Sequence, residues 1–283
     1  MVEKEDDHII HGLWIGSELS PLELLTLHSF TRHGHAFHLW VYEGLANKLP
    51  AGVILKDANS IIPSNEVYSR KYADPKHKIG KGSFGSPFSD LFRYKLLYEQ
   101  GGWWVDMDVT CLRPLNFSNN YVFRSHPILP MIGNVMKVPK GCPLMKAVYE
   151  QVRAECNENT ADWLLPNKIL NHHVLEMGLT EFILQDLGSK DWWSSIRSYI
   201  MGSETLPKDW FFIHWMNEEW RTQNIDRIET VKGSVYELLL KEYGIPNREM
   251  GSRRLWKYKT LHLKSQLPSL LHALTGFVKR ISQ

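Results

Sequence analysis

The sequence predicts an α/β fold, a mostly parallel central sheet with helices on its faces. Three observations point there. An apolar strand, a capped helix and a second apolar strand follow one another within the first 42 residues, which is the order that starts a parallel sheet. A second helix, stopped by Gly101-Gly102, runs straight into the apolar Trp103-Trp104-Val105. The length, 283 residues, suits one α/β domain with an appended subdomain and allows a sizeable core.

Taken in order, Ile9 to Ile15 reads as a buried first strand ending at Gly16. Ser20-Pro21 opens a helix, with serine suited to the N-cap and proline to the first turn. Leu22, Leu25, Leu27 and Phe30 carry its apolar spacing, and Gly34 stops it. Phe37 to Tyr42 is the second strand. Gly44 to Gly85 is polar, contains proline and reads as irregular, with a short basic run from Lys76 to Lys81. Ser86-Pro87 repeats the cap signal before a helix from Phe88 to Gln100, and Trp103 to Asp106 is the next strand. Shorter strands are expected at Tyr121 to Phe123 and Ile132 to Val138. Helices are expected at Pro143 to Ala154 and Asn167 to Met177, and a late strand or loop at Phe211 to Trp215.

Composition removes several function classes. The formal charge is +2, so no whole-molecule field points to nucleic acid. Three separated cysteines form no CxxC pair and suggest neither a zinc site nor a disulfide framework, as in a reducing compartment. The acidic start, MVEKEDDHIIHGLWIG, does not read as a signal peptide, and no stretch is apolar enough to span a membrane. A cytoplasmic protein is the expectation. From Arg248 to Gln283 the chain turns basic, with eight Lys/Arg against the one acid Glu249. Leu267, Leu270, Leu271, Leu274, Phe277, Val278 and Ile281 are helically spaced there. Residues 1–247 are therefore expected to form the main domain and 248–283 a basic amphipathic helical extension. That extension could pack on the domain or touch an anionic membrane peripherally.

The chemistry centres on GGWWVDMDVTCLRP. An apolar run drives into Asp106 and Asp108, and a buried carboxylate needs a partner. In open α/β sheets ligands bind beyond the carboxyl ends of strands. Strand alternation aims both aspartates the same way, with Met107 turned aside. Such a pair can lie solvated in a turn, or it can hold Mg²⁺ or Mn²⁺, which then grips a diphosphate. In the helix before it, Asp90 and Arg93 are i, i+3 neighbours, with Ser89 and Tyr94 alongside. Spacing alone fits a silent surface ion pair as well as a carboxylate and guanidinium facing the same crevice. In FFIHWMNEEWR, His214 ends an apolar run as Asp106 does, and could be a late metal ligand with Asn217 nearby. Trp14, at the end of the first strand, could stack a nucleotide base or simply pack in the core.

The block SDLFRYKLLYEQGGWWVDMDV resembles the signature of DXD-containing glycosyltransferases of the GT-A fold. This is the Rossmann-like, nucleotide-sugar-binding fold. The likeness is to the family-32-like group, which includes α-mannosyl-, α-galactosyl- and capsular-polysaccharide transferases and is related to the catalytic domains of clostridial glucosylating toxins. HGLWIG is similar to that family's first strand, and IHWMN to its late His-x-x-Asn motif. The resemblance implies a retaining, metal-dependent transfer from a nucleotide sugar, a UDP-sugar above all, to a saccharide, lipid-linked or protein acceptor. It implies that Asp108 ligates Mn²⁺, or Mg²⁺, and that Asp106 touches the ribose or the metal. His214 and Asn217 would complete the metal and diphosphate site. Asp90 and Arg93, with Ser89, would hold the donor sugar, Trp14 would stack the base and Trp104 would line the pocket. Asp90, Arg93, Asp106 and Asp108 form the expected catalytic set. Two other readings stand beside it. WWVDMDVT fits the DxDxT of haloacid-dehalogenase-type phosphohydrolases, with Asp106 as nucleophile. About 100 residues of α/β character precede it, however, and no downstream acidic pair follows. A non-catalytic carbohydrate-binding relative is the other reading, and the retained acids argue against it.

Overall fold

The computed structural model describes residues 9–69, 71, 87–202 and 204–260. β1 (Ile10–Trp14), α1 (Pro21–Arg32) and β2 (Phe37–Val41) open the fold in the expected order. Ser20 forms a full capping box: its hydroxyl accepts from Leu22 N–H, and the Glu23 carboxylate accepts the Ser20 N–H at 2.7 Å. The stretch expected to be irregular holds a strand, β3 (Val53–Asp57). Its Ile54 and Leu55 are both exposed, so no inward apolar alternation marks it in the sequence. The basic run 76–81 and the Ser86 cap lie outside the described residues.

α2 (Pro87–Gln100) ends where expected, at Gly101 with φ +70. A side chain there would be strained, and its Cβ would lie 2.5 Å from the Lys140 backbone nitrogen. Then come β4 (Gly102–Val105), β5 (Val109–Cys111), β6 (Val122–Ser125) and β7 (Met131–Val138). They are followed by α3 (Pro143–Glu155), α4 (Leu165–Glu176) and β8 (Ile183–Leu184). The chain continues through α5 (Trp193–Met201), β9 (Phe212–His214) and α6 (Asn217–Thr222). It reaches β10 (Glu229–Thr230), α7 (Val235–Glu242) and β11 (Arg248–Glu249), and residues 252–260 are helical.

The central sheet has the order β3-β2-β1-β4-β7-β6-β8. β7 is antiparallel to both its neighbours, β4 and β6, and the other pairs are parallel. Six strands therefore end at one edge of the sheet, the mostly parallel α/β arrangement expected of the GT-A fold. On one face Leu13, Trp40, Trp104, Phe123 and Met136 pack under α2, α3 and α4. On the other, Phe37, Leu39, Trp103, Val105 and Val135 pack with Leu27 and Phe30 of α1. A third apolar cluster joins α5, α6 and α7 to Leu22 and Leu25 of α1.

The junction expected at residue 248 falls within packed structure. β11 pairs with β10, and Tyr258, 4% exposed, donates its hydroxyl to Asn224 O at 2.5 Å. The apolar helix expected over 267–281 lies outside the described residues. Cys111, Cys142 and Cys156 are all buried and free. Among the described residues no helix is long and apolar enough to cross a membrane.

Candidate active site

The site forms at the sheet edge where the parallel strands end. β4 delivers Trp103 and Val105 to one face and Trp104 to the other. Asp106 continues on the Trp104 side. There Arg93 Nη2–H and Trp104 Nε1–H both donate to Asp106 Oδ1 at 2.8 Å. Arg93 Nη1 meets Asp90 Oδ1 at 2.7 Å, and the guanidinium stands 5.1 Å from the centre of the Trp104 ring. Asp90 and Arg93 are only 3% and 4% exposed, so the pair does not behave as a surface ion pair. Burial raises Asp90 to about 6 against the pull of Arg93. Asp106 is raised as well, because burial outweighs Arg93 and the Asp108 charge adds to it.

Alternation stops at Val105. Val109 N–H donates to Asp106 O at 3.2 Å and closes a turn, so Asp108 does not repeat the direction of Asp106 as the sequence pattern predicts. Asp106 turns toward α2, whereas Asp108 turns toward β9. Met107 goes into the core, as expected, and is 7% exposed. It lies over Gly12, where a Cβ would come within 2.9 Å of its sulfur.

Antiparallel pairing of β5 with β9 places Val109 opposite His214. His214 Nε2 then lies 3.3 Å from Asp108 Oδ2, and Asn217 N–H donates to the same oxygen at 2.8 Å. Met216, between them, adopts a left-handed φ of +56, which costs roughly 1–3 kcal/mol and aims that N–H. Trp215 anchors the turn. Its backbone N–H donates to Asp108 O at 2.9 Å and its indole to Thr110 Oγ1 at 2.8 Å.

Behind His214 lies a buried circuit that the sequence reading missed. His214 Nδ1 is 2.9 Å from Asp191 Oδ1, and Arg124 donates to both Asp191 oxygens at 2.7 Å. Arg124 also donates to Asn134 Oδ1 at 3.1 Å, and Asp106 N–H closes the circuit on Asn134 O at 2.9 Å. Burial disfavours charge on His214, but Asp191 and Asp108 outweigh it and push its pKa up to about 10. Burial likewise opposes ionisation of Asp191, yet His214 and Arg124 hold it well below the carboxylate range. For Asp108, His214 overcomes burial and lowers it. Arg124 and Asp191 are distant in sequence, and their one hint is that KDWW sets an acid beside two tryptophans, as WWVD does.

The residues fit a hard divalent cation in donor chemistry. Among the described residues, Asp106 Oδ2 and Asp108 Oδ1 accept no hydrogen bond, and the two side chains are 30% and 12% exposed. Yet no three His, Cys, Asp or Glu side chains among the described residues are gathered as a metal cluster. Asp191 and Asp108 favour the protonated form of His214, whose Nε2 faces Asp108, so a cation would compete with that proton. The Asn217 side chain does not reach in, because its Oδ1 accepts from Arg227 Nε at 2.7 Å and also from Nη2. Trp104, expected to line the pocket, is 1% exposed and instead holds Asp106 from below. Ser89 is half-buried at the start of α2. Trp14 is half-buried at the end of β1, the strand beside β4, with its indole N–H on Glu18 O at 3.0 Å.

Residues 44–126 match the glycosyltransferase sugar-binding region containing the DXD motif. That region spans Asp90, Arg93, Asp106 and Asp108 and supports a transferase enzyme. No curated protein matches the sequence. Among solved structures, "PaToxG Glycosyltransferase" is similar at 13% identity and TM-score 0.41, covering 91% of this chain and 85% of its own. A transferase carrying two cysteine-to-serine substitutions is similar at 11% identity and TM-score 0.40, covering 62% and 86%.

Proposed function

We propose that the protein is a metal-dependent, retaining glycosyltransferase of the family-32-like group. In this reading it moves a sugar from a UDP-sugar to a saccharide, lipid-linked or protein acceptor. The observation that carries the reading is the pairing at the end of β4. Two aspartates each present one uncommitted oxygen at the sheet edge, and a buried Asp90–Arg93 pair stands against the first of them. Asp108 and Asp106 would hold Mn²⁺ or Mg²⁺, with His214 joining once it gives up its proton. Such an ion neutralises the charge that develops on a departing diphosphate. Arg93 contributes a fixed cation a few ångströms away. Asp90, buried against Arg93, would accept donor-sugar hydroxyls in this reading. Trp14, at the same edge, is suited to stack the base.

Retention without a covalent enzyme intermediate agrees with how the carboxylates are committed. Asp90 and Asp106 face Arg93, Asp108 faces His214, and Asp191 is held by Arg124. The acceptor would attack from the leaving-group side and pass its proton to the departing diphosphate. The test is hydrolysis of UDP-glucose, UDP-galactose, UDP-N-acetylglucosamine and GDP-mannose, with Mn²⁺ and with EDTA. Hydrolysis of a UDP-sugar that needs Mn²⁺ and falls at least 100-fold in Asp108→Ala is expected. Unchanged hydrolysis in Asp108→Ala would sink the proposal.

A further inference from the structure

A cavity of about 350 Å³ lies beyond the carboxyl ends of β6 and β8, formed by residues 124–127 and the loop 185–192. β6 runs parallel to β4, because β7 is antiparallel to both. The cavity therefore opens at the same sheet edge as Asp106 and Asp108. With strands roughly 4.8 Å apart, β6 lies about 10 Å along that edge from β4. The two places are linked by a short chain of side-chain contacts. Arg124 lines the cavity wall and grips Asp191, which holds His214, which faces Asp108.

The lining has the character of a carbohydrate site. Trp192 is 48% exposed, an unusual state for a tryptophan, and offers a broad apolar face. Gln185, Asp186 and Lys190 are exposed around it, and the half-buried Ser125 lines it too, whereas the His126 ring is buried and its Nδ1 accepts from Ile128 and Leu129 N–H. One aromatic platform with a rim of donors and acceptors suits a ring with an apolar C–H face and equatorial hydroxyls. The volume falls at the small end of ligand pockets, enough for one or two sugar rings. A nucleotide would find no fixed cation cluster exposed here, since Arg124 is 2-fold committed to Asp191.

From this placement we infer that the cavity is the acceptor-saccharide subsite and that Trp192 is its stacking platform. The inference rests on the transferase reading above. It narrows that reading's three acceptor classes to one, a saccharide, and gives it a position beside the donor.

The experiment uses the full chain with Mn²⁺ and UDP and probes it with methyl glycosides of glucose, galactose, mannose and N-acetylglucosamine. Binding is read by saturation-transfer NMR, and donor hydrolysis is measured in parallel. At least one glycoside should bind. Trp192→Ala should weaken it at least tenfold while leaving Mn²⁺-dependent donor hydrolysis within about twofold. Gln185→Ala, a second exposed change, should weaken the same glycoside. Asp108→Ala should do the reverse, losing hydrolysis and keeping the glycoside. No binding by the wild-type chain would overturn the inference, as would binding indifferent to Trp192. Saccharide binding with no metal-dependent hydrolysis in the wild-type chain would overturn the acceptor role by removing the reading beneath it.

Discussion

Replacing Arg93 with methionine tests the centre of the site most directly. Methionine keeps much of the arginine's volume over Trp104 and removes the charge. Two carboxylates then lose their cation: Asp90, 3% exposed, and Asp106, whose Oδ1 keeps only the Trp104 N–H. Breaking a buried pair by removing one partner costs about 3–5 kcal/mol, against under ~1 kcal/mol for an exposed pair. For a chain of this size that is a fall in Tm of ~10 °C. The cost should depend on pH with a definite sign. Asp90 has a folded-state pKa raised to about 6, so near pH 5 it already carries a proton and needs its cation less. At pH 7.5 it is ionised and the loss is felt in full. Urea unfolding followed by tryptophan fluorescence at the two pH values measures this directly. Asp90→Asn in the same background should recover part of the loss at pH 7.5. A cost below ~1 kcal/mol, or one equal at both pH values, would refute the argument that burial makes Asp90–Arg93–Asp106 a single unit.

Two further outcomes follow from the packing around the site. His11 is buried, takes the Trp40 indole N–H at Nδ1 (3.1 Å), and has a pKa lowered to about 3 by burial, with His38 and Lys56 adding to it. The folded state refuses a proton that the unfolded chain accepts below about 6.5. His11 therefore stabilises the fold above that pH, and the contribution is lost at ~1.4 kcal/mol per unit as pH falls toward 3. His11→Asn should flatten that part of the stability–pH curve, and an unchanged curve would show that another group carries it. Gly133 lies against Arg93, where a Cβ would collide with Nη1, a tip already pinned by Asp90. Gly133→Ala should cost ~1–3 kcal/mol in urea unfolding and slow donor hydrolysis, whereas a neutral result would mean that Arg93 can move aside.

Much of the framework was legible from local patterns. The Ser20 cap, the glycine stop after α2 and the apolar run into Asp106 each depend on a few neighbouring residues, and each lies where the pattern puts it. β3 was illegible because Ile54 and Leu55, at a sheet edge, are exposed and leave no buried apolar alternation. The direction of Asp108 was illegible because alternation describes a strand, and the strand ends one residue before Asp106.

The sequence by itself determined the α/β class, the helix-stop-strand unit, and the chemical types that reach the crevice: two aspartates, a second acid with its arginine, and a late histidine. The class, the helix-stop-strand unit and the apolar run into the aspartates follow from periodicity and spacing, which act over one or two turns of chain; that Asp90, Arg93 and His214 belong to the crevice followed from the family resemblance. Only the tertiary structure decided their partners. The antiparallel fit of β5 against β9 brought His214 to Asp108, and the loop after β8 brought Asp191 to Arg124 and His214. Burial, a property of the packed whole, turned the Asp90–Arg93 spacing from a surface pair into a structural one. Pairings between distant segments are set by which surfaces pack together, and no local pattern records that.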